Sequence, residues 1–174
     1  MNSSEIISID PSLRSTGVYL DNILYTIATK QKRPAAEARK NLYTQLRGLI
    51  RDNRPTLCLV EDYSYGNKMS TSMTSIAEIR GIIYAICLEY HCSVVPVGIP
   101  IWKNIMHYKH PKAPAAAKRA YVQIAEDKWE LGFATTDEVD AFMIYTTVER
   151  LLKTGPRTDS QKRLIIRVKE CLNE

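Results

Sequence analysis

Apolar and polar positions follow two rhythms along this chain. Glu5 to Asp10, EIISID, is short and β-branched and is broken by Asp10-Pro11, which predicts a strand. STGVYL and ILYTIAT are β-rich runs joined by Asp21-Asn22, the signature of a tight hairpin. Three antiparallel strands are therefore expected first. From Ala35 to Asn53 the period lengthens: Leu42, Leu46, Leu49 and Ile50 share a helix face, leaving Arg39, Lys40, Arg47 and Arg51 for the wet side. Arg54-Pro55 should stop this helix. TLCLVED is a nearly continuous apolar run, as in a buried parallel strand, and ends on Glu61 and Asp62. After a polar loop with Gly66 and Asn67, a long apolar helix is expected from Met69 to Tyr90. Gly81 lowers its propensity by about 1 kcal/mol relative to Ala and suggests a close helix contact. SVVPV predicts another strand. Gly98 to Pro114 is a proline-broken basic stretch, and helices are expected over Ala115–Trp129 and Thr136–Leu152. Beyond Gly155-Pro156, Ser160 to Leu172 has the apolar spacing of an amphipathic helix through Leu164, Ile165, Val168 and Leu172.

Strands interleaved with helices mean an α/β fold, with an antiparallel hairpin feeding a parallel sheet. The 174 residues fit one domain, expected over 1–155, followed by a basic amphipathic tail over 156–174. Apolar residues at 45% and charged residues at 25% are ordinary globular values and argue against disordered or fibrous chains. No window offers 18 uncharged apolar residues, so no membrane span is expected. The N-terminus carries Glu5 and Asp10 and no basic segment, unlike a secretory signal. Cys58 and Cys87 lie in apolar runs as small core residues, and the Cys and His spacings match no zinc pattern. An intracellular, cytoplasmic setting follows as the expectation.

Charge adds a partner class. Twenty-four Lys and Arg against 19 Asp and Glu leave a net +5, and the distribution is uneven. No carboxylate occurs between Glu89 and Glu126, a stretch with Lys103, Lys109, Lys112, Lys118 and Arg119. A second acid-free run holds Lys30, Lys32 and Arg33. Such runs suit either a solvated face or a phosphate-binding surface.

Four acids stand where stability alone would not put them. Asp10 ends the first strand and Glu61 the fourth, and these strands are plausible neighbours. Asp137 and Asp140, three apart at a helix start, share one face. Crowded carboxylates repel unless cations are present, and hard divalent cations take oxygen ligands. Two such ions can activate a water and stabilise the leaving oxygen at phosphorus. Simpler explanations exist for single residues: Asp10 as a turn former, Asp137 as a helix-dipole partner. Glu138 fits a capping box with Thr135 as N-cap. Asp62 should point away from Glu61 along the strand.

On these residues the sequence resembles a RuvC-type Holliday junction resolvase of the ribonuclease-H-like nuclease superfamily. IISIDPSLRSTGVYL, LVEDYSYG, AEIRGIIYA and TTDEVDAFMIY carry the resemblance, over about residues 5 to 150. It implies a ribonuclease-H-like mixed sheet, three antiparallel strands then parallel ones, flanked by helices. It implies a homodimeric endonuclease that cuts four-way DNA junctions by paired symmetric nicks, with two Mg²⁺ per site and Mn²⁺ able to substitute. The metal ligands would be Asp10, Glu61, Asp137 and Asp140. Lys103 and Lys118 would be the lysines near the scissile phosphate. The helix with Arg80-Gly81 would form the dimer interface. Arg14, Tyr63, Tyr65, Lys68, Lys109, Lys112 and Arg119 are candidates for DNA contact, the tyrosines by stacking. Two positions depart from the family: Ser12 replaces a common Gly, and Ser64 stands where bacterial relatives carry Phe. An alternative is a nuclease of the same superfamily acting on flaps, other branched DNA or RNA–DNA hybrids. No GxSxG elbow and no GxxxxGK[ST] loop occurs, so a serine hydrolase or a bound nucleotide cofactor is not expected.

Overall fold

A computed structural model describes residues 5–30, 32–62, 71–103 and 114–172, with the backbone alone for 71–73 and 114–118. Strands β1 (Ile6–Asp10), β2 (Ser15–Leu20) and β3 (Ile23–Ala28) form the opening meander. Asp21 and Asn22 join β2 to β3 with φ of 51° and 63°, the two positive values a type I′ turn demands. Helix α1 (Ala35–Asn53) follows and ends on Arg54 in the left-handed region, φ 49°, just before Pro55. Then come β4 (Leu57–Glu61), α2 (Thr71–Glu89), β5 (Ser93–Val97), α3 (Ile99–Lys103), α4 (Pro114–Trp129), α5 (Thr136–Thr154) and α6 (Asp159–Leu172).

The sheet order is β3-β2-β1-β4-β5. β1 pairs antiparallel with β2 and parallel with β4, and β4 pairs parallel with β5. The mixed sheet expected from the sequence is thus present, with β1 beside β4.

Strand parity sorts the core into two faces. Ile7, Ile9, Cys58 and Val60 pack with Leu42, Leu46 and Ile50 of α1 and Ile79, Ile83 and Ile86 of α2. Ile6, Leu57, Leu59, Val95 and Val97 pack with α5 and with Trp102 of α3. Leu164, Ile165 and Val168 of α6 belong to this second cluster. Among the described residues no helix is long and apolar enough to cross a membrane.

Two expectations change. α3 lies within the stretch expected to be proline-broken; Pro100 sits in its first turn, where a missing N–H costs nothing. Gly81 meets no neighbour among the described residues, since a Cβ there would find nothing of theirs within 4 Å. The expected close helix contact is therefore not made by any of the described residues.

Candidate active site

The alternation that sorts the core also aims the acids. Ile6 and Ser8 of β1 face α5, and Ser8 Oγ donates to the Ala141 carbonyl of that helix at 2.7 Å. Asp10 is the next residue of the same parity. On β4, Leu57 and Leu59 face α5, so Glu61 does too. The β1–β4 register, running from Ile6↔Leu57 to Ile9↔Val60, sets Asp10 alongside Glu61 when carried one residue further. Asp62 has the opposite parity and accepts a 2.8 Å ion-pair hydrogen bond from Arg80 of α2. It lies outside the acid cluster, as the alternation requires.

Helix α5 delivers the other two acids. Thr135 is its N-cap and accepts from the Glu138 backbone N–H at 3.2 Å. The reciprocal half of the expected capping box is altered. Glu138 accepts from the Ala134 N–H at 2.7 Å and from Thr26 of β3 at 2.6 Å, so the cap is clamped to the sheet edge. Gly17 of β2, the partner of Asp10, lets this first turn settle. A Cβ there would lie 1.9 Å from the Asp137 carbonyl oxygen. The close approach carries Asp137 and Asp140 over the end of β1.

The electrostatics report the convergence. Asp10 is held well above the usual carboxylate range by burial first, then by Glu61, Asp140 and Asp137, with Lys103 opposing. Glu61 is pushed up to about 7 by burial and by Asp140, against Lys103 and Arg80. Lys103, the last residue of α3, is exposed and positioned by the fully buried Trp102 beside it, with Nζ 5.1 Å from that ring.

Sequence reasoning missed Tyr121 of α4. Its hydroxyl donates to Asp140 Oδ1, and burial and Asp140 raise its own proton affinity. The available signal was its i, i+3 spacing from Lys118 on one helix. Gly17 lay within the quoted STGVYL, yet its contact with α5 joins residues 120 apart in sequence.

As placed, no three His, Cys, Asp or Glu side chains among the described residues are gathered tightly enough to hold a metal ion. Asp140 is instead turned to Tyr121. The fit to Mg²⁺ or Mn²⁺ is nevertheless good in donor type and charge: four carboxylates, only hard oxygens, and mutual repulsion that a divalent cation would relieve.

The remaining candidates are more scattered. Lys118 lies in the backbone-only start of α4. Exposed Arg119 lines an open depression with Thr135 and Thr136 at the N-terminus of α5. Arg14, in the β1–β2 turn, donates to the Arg33 carbonyl at 2.7 Å, which ties two basic segments together. Tyr63, Tyr65, Lys68, Lys109 and Lys112 lie outside the described residues.

Comparison with solved structures shows the fold. Thermus thermophilus RuvC in complex with a Holliday junction substrate superimposes with a TM-score of 0.66 at 16% identity, covering 86% of this chain and 95% of that one. Thermus thermophilus RuvC itself gives 0.60 at 17% identity, covering 86% and 96%. The yeast mitochondrial Holliday junction resolvase Ydc2 gives 0.53 at 12% identity, covering 97% and 84%. No family model matches the chain, and no curated sequence matches it significantly. The architecture is a RuvC-type, ribonuclease-H-like fold.

Proposed function

We propose that this chain is a metal-dependent endonuclease that resolves four-way DNA junctions by paired symmetric nicks. The observation that carries the reading is the meeting of Asp10 and Glu61, from adjoining parallel strands, with Asp137 and Asp140 from one helix turn. The likeness in fold to junction resolvases supports it.

Asp10, Glu61, Asp137 and Asp140 would hold two Mg²⁺ ions, or Mn²⁺. When bound, these supply an activated water and stabilise the leaving oxygen at phosphorus. The chain's own residues do the remaining work. Lys103, whose charge already reaches Asp10 and Glu61, offsets charge building on the phosphate, and Lys118 has the same role. Tyr121 holds Asp140 in orientation through its hydroxyl. Arg119 and Arg14, with Lys68, Lys109 and Lys112, contact the backbone of the branched DNA, and Tyr63 or Tyr65 stacks on a base at the branch.

A four-way junction offers two equivalent strands, so paired cuts call for a twofold homodimer. α2 supplies a suitable face: Gly81 is exposed with space above it, beside exposed Tyr84 and Leu88, the latter at 79%.

The test is cleavage of an immobile four-way junction beside flap, duplex and RNA–DNA hybrid controls, in Mg²⁺, Mn²⁺ or EDTA. Symmetric nicks on the junction, absent in EDTA, are expected. Faster cutting of flaps or hybrids would keep the acid site and replace the substrate.

A further inference from the structure

The chain has a second basic concentration besides the acid-free stretch between Glu89 and Glu126. Residues 150–172 contain seven Lys and Arg against Asp159 and Glu170, a net +5, which equals the net charge of the whole chain.

Elsewhere several described arginines are matched locally, although no described carboxylate pairs with Arg14, Arg54 or Arg119. Arg33, Arg39 and Arg47 pair with Glu37, Glu78 and Glu89, and Arg80 pairs with Asp62. On α6 only Lys162 has such a partner, Asp159 at 3.2 Å. Arg163, Arg167 and Lys169 are exposed, and no described carboxylate pairs with them. Arg163 and Arg167 are one turn apart and lie on the same face. The patch continues onto α5 and α4. Arg150 is exposed, and its charge helps burial to hold the Lys128 ammonium below its usual range. Like charges assembled in excess over acids cost stability unless an anionic partner meets them.

We propose that the outer face of α6, centred on Arg163, Arg167 and Lys169, binds the phosphate backbone of a duplex arm away from the cutting site. The proposal rests on the junction-resolving reading for the presence of such an arm. The position suits that role. α5 carries Asp137 and Asp140 at its start and is about 28 Å long, at 1.5 Å per residue over 19 residues. A four-residue connection, 155–158, then turns the chain back into α6 on the same side of the sheet as the acids. A bilayer is the poorer match. The apolar stripe of α6, Leu164, Ile165 and Val168, is spent on the core, and Ile166 alone is exposed on the outer side.

The test compares the full-length wild type with R163Q/R167Q/K169Q. Binding to a linear duplex and to a four-way junction is measured across salt concentration. Thermal melting of both proteins checks that these exposed changes leave the fold intact. Each phosphate contact adds about 0.9 to the slope of log K against log salt. The variant slope should therefore be shallower by about 2 to 3 on both probes. On a junction with arms cut to about 6 base pairs, roughly 20 Å, the two proteins should converge. Single-turnover cutting at saturating protein should be unchanged. Equal slopes on linear duplex overturn the proposal, as does tighter wild-type binding to phosphatidylserine vesicles that the variant loses instead. If junctions are never cut while the duplex slopes still differ, the resolvase reading fails and the duplex-binding face stands.

Discussion

At the residue scale, burial first and then repulsion from neighbouring acids make Asp10 and Glu61 hold their protons more tightly. Glu61 is pushed up to about 7 from an ordinary value of 4.5, by burial and by Asp140. A carboxyl that holds its proton more tightly when folded destabilises the folded state as the pH rises between those values. In EDTA the protein should therefore lose about 3 kcal/mol of stability between about pH 4.5 and 7 from this group, and Asp10 acts in the same direction. Urea unfolding across that range measures it, and a flat profile would contradict the geometry. Mg²⁺ should restore stability most at the upper end, where the carboxylates are ionised. Asp10→Asn and Asp140→Asn remove charge from the same cluster. Each should abolish cutting and leave junction affinity within about threefold of wild type, since phosphate contacts elsewhere supply the binding. Gel-shift and cleavage assays on one junction separate the two effects. Loss of binding by both folded variants would move these acids from chemistry to recognition.

At the element scale, the placement of α5 on β2 is the step that builds the site. Gly17→Ala would set a Cβ 1.9 Å from the Asp137 carbonyl oxygen, so the first turn of α5 must withdraw with both of its acids. Overpacking of this kind costs about 1–3 kcal/mol, and a displacement near 1 Å can lower the cutting rate by about 10²-fold. Melting and single-turnover cleavage of the variant check both, and wild-type values for both would show that the turn can shift without harm. The sequence made most of this arrangement legible. Periodicity located α1 to the residue, Ala35–Asn53, because Leu42, Leu46 and Ile50 mark its buried face and Arg54-Pro55 its end. Alternation on TLCLVED separated Glu61 from Asp62, and the structure puts them on opposite faces. What escaped depends on packing between distant segments. α3 tolerates Pro100 in its first turn and buries Trp102 wholly in the cluster that α5 joins, and no local propensity announces that burial. The bond from Tyr121 to Asp140 depends on how α4 is rotated, which the chain between them does not encode. Gly81 fits the same pattern: the missing side chain is visible in sequence, but the contact it would serve is not among the described residues.

At the scale of the whole molecule, α6 decides whether the chain has one cooperative unit or a domain with an appended tail. Its basic outer face and apolar inner face make it look separable in sequence, and 156–174 reads naturally as a tail. The packing argues for integration. Leu164, Ile165 and Val168 are buried in the same cluster as Val95, Trp102 and Phe142, and α6 lies against β4 and β5. β5 is an edge strand, and α6 packs on the face that it shares with β4. Leu164→Ala should therefore cost about 2–5 kcal/mol and lower the melting temperature by roughly 5 to 15 °C in a single transition. Calorimetry distinguishes the alternatives: an early, small transition followed by a wild-type main peak would mean that α6 detaches on its own. A single shifted peak would tie the basic face to the same rigid body that carries the four acids. That rigidity matters for function, because a phosphate contact made at α6 can orient a duplex relative to Asp10 and Glu61 only if the elements between them do not yield.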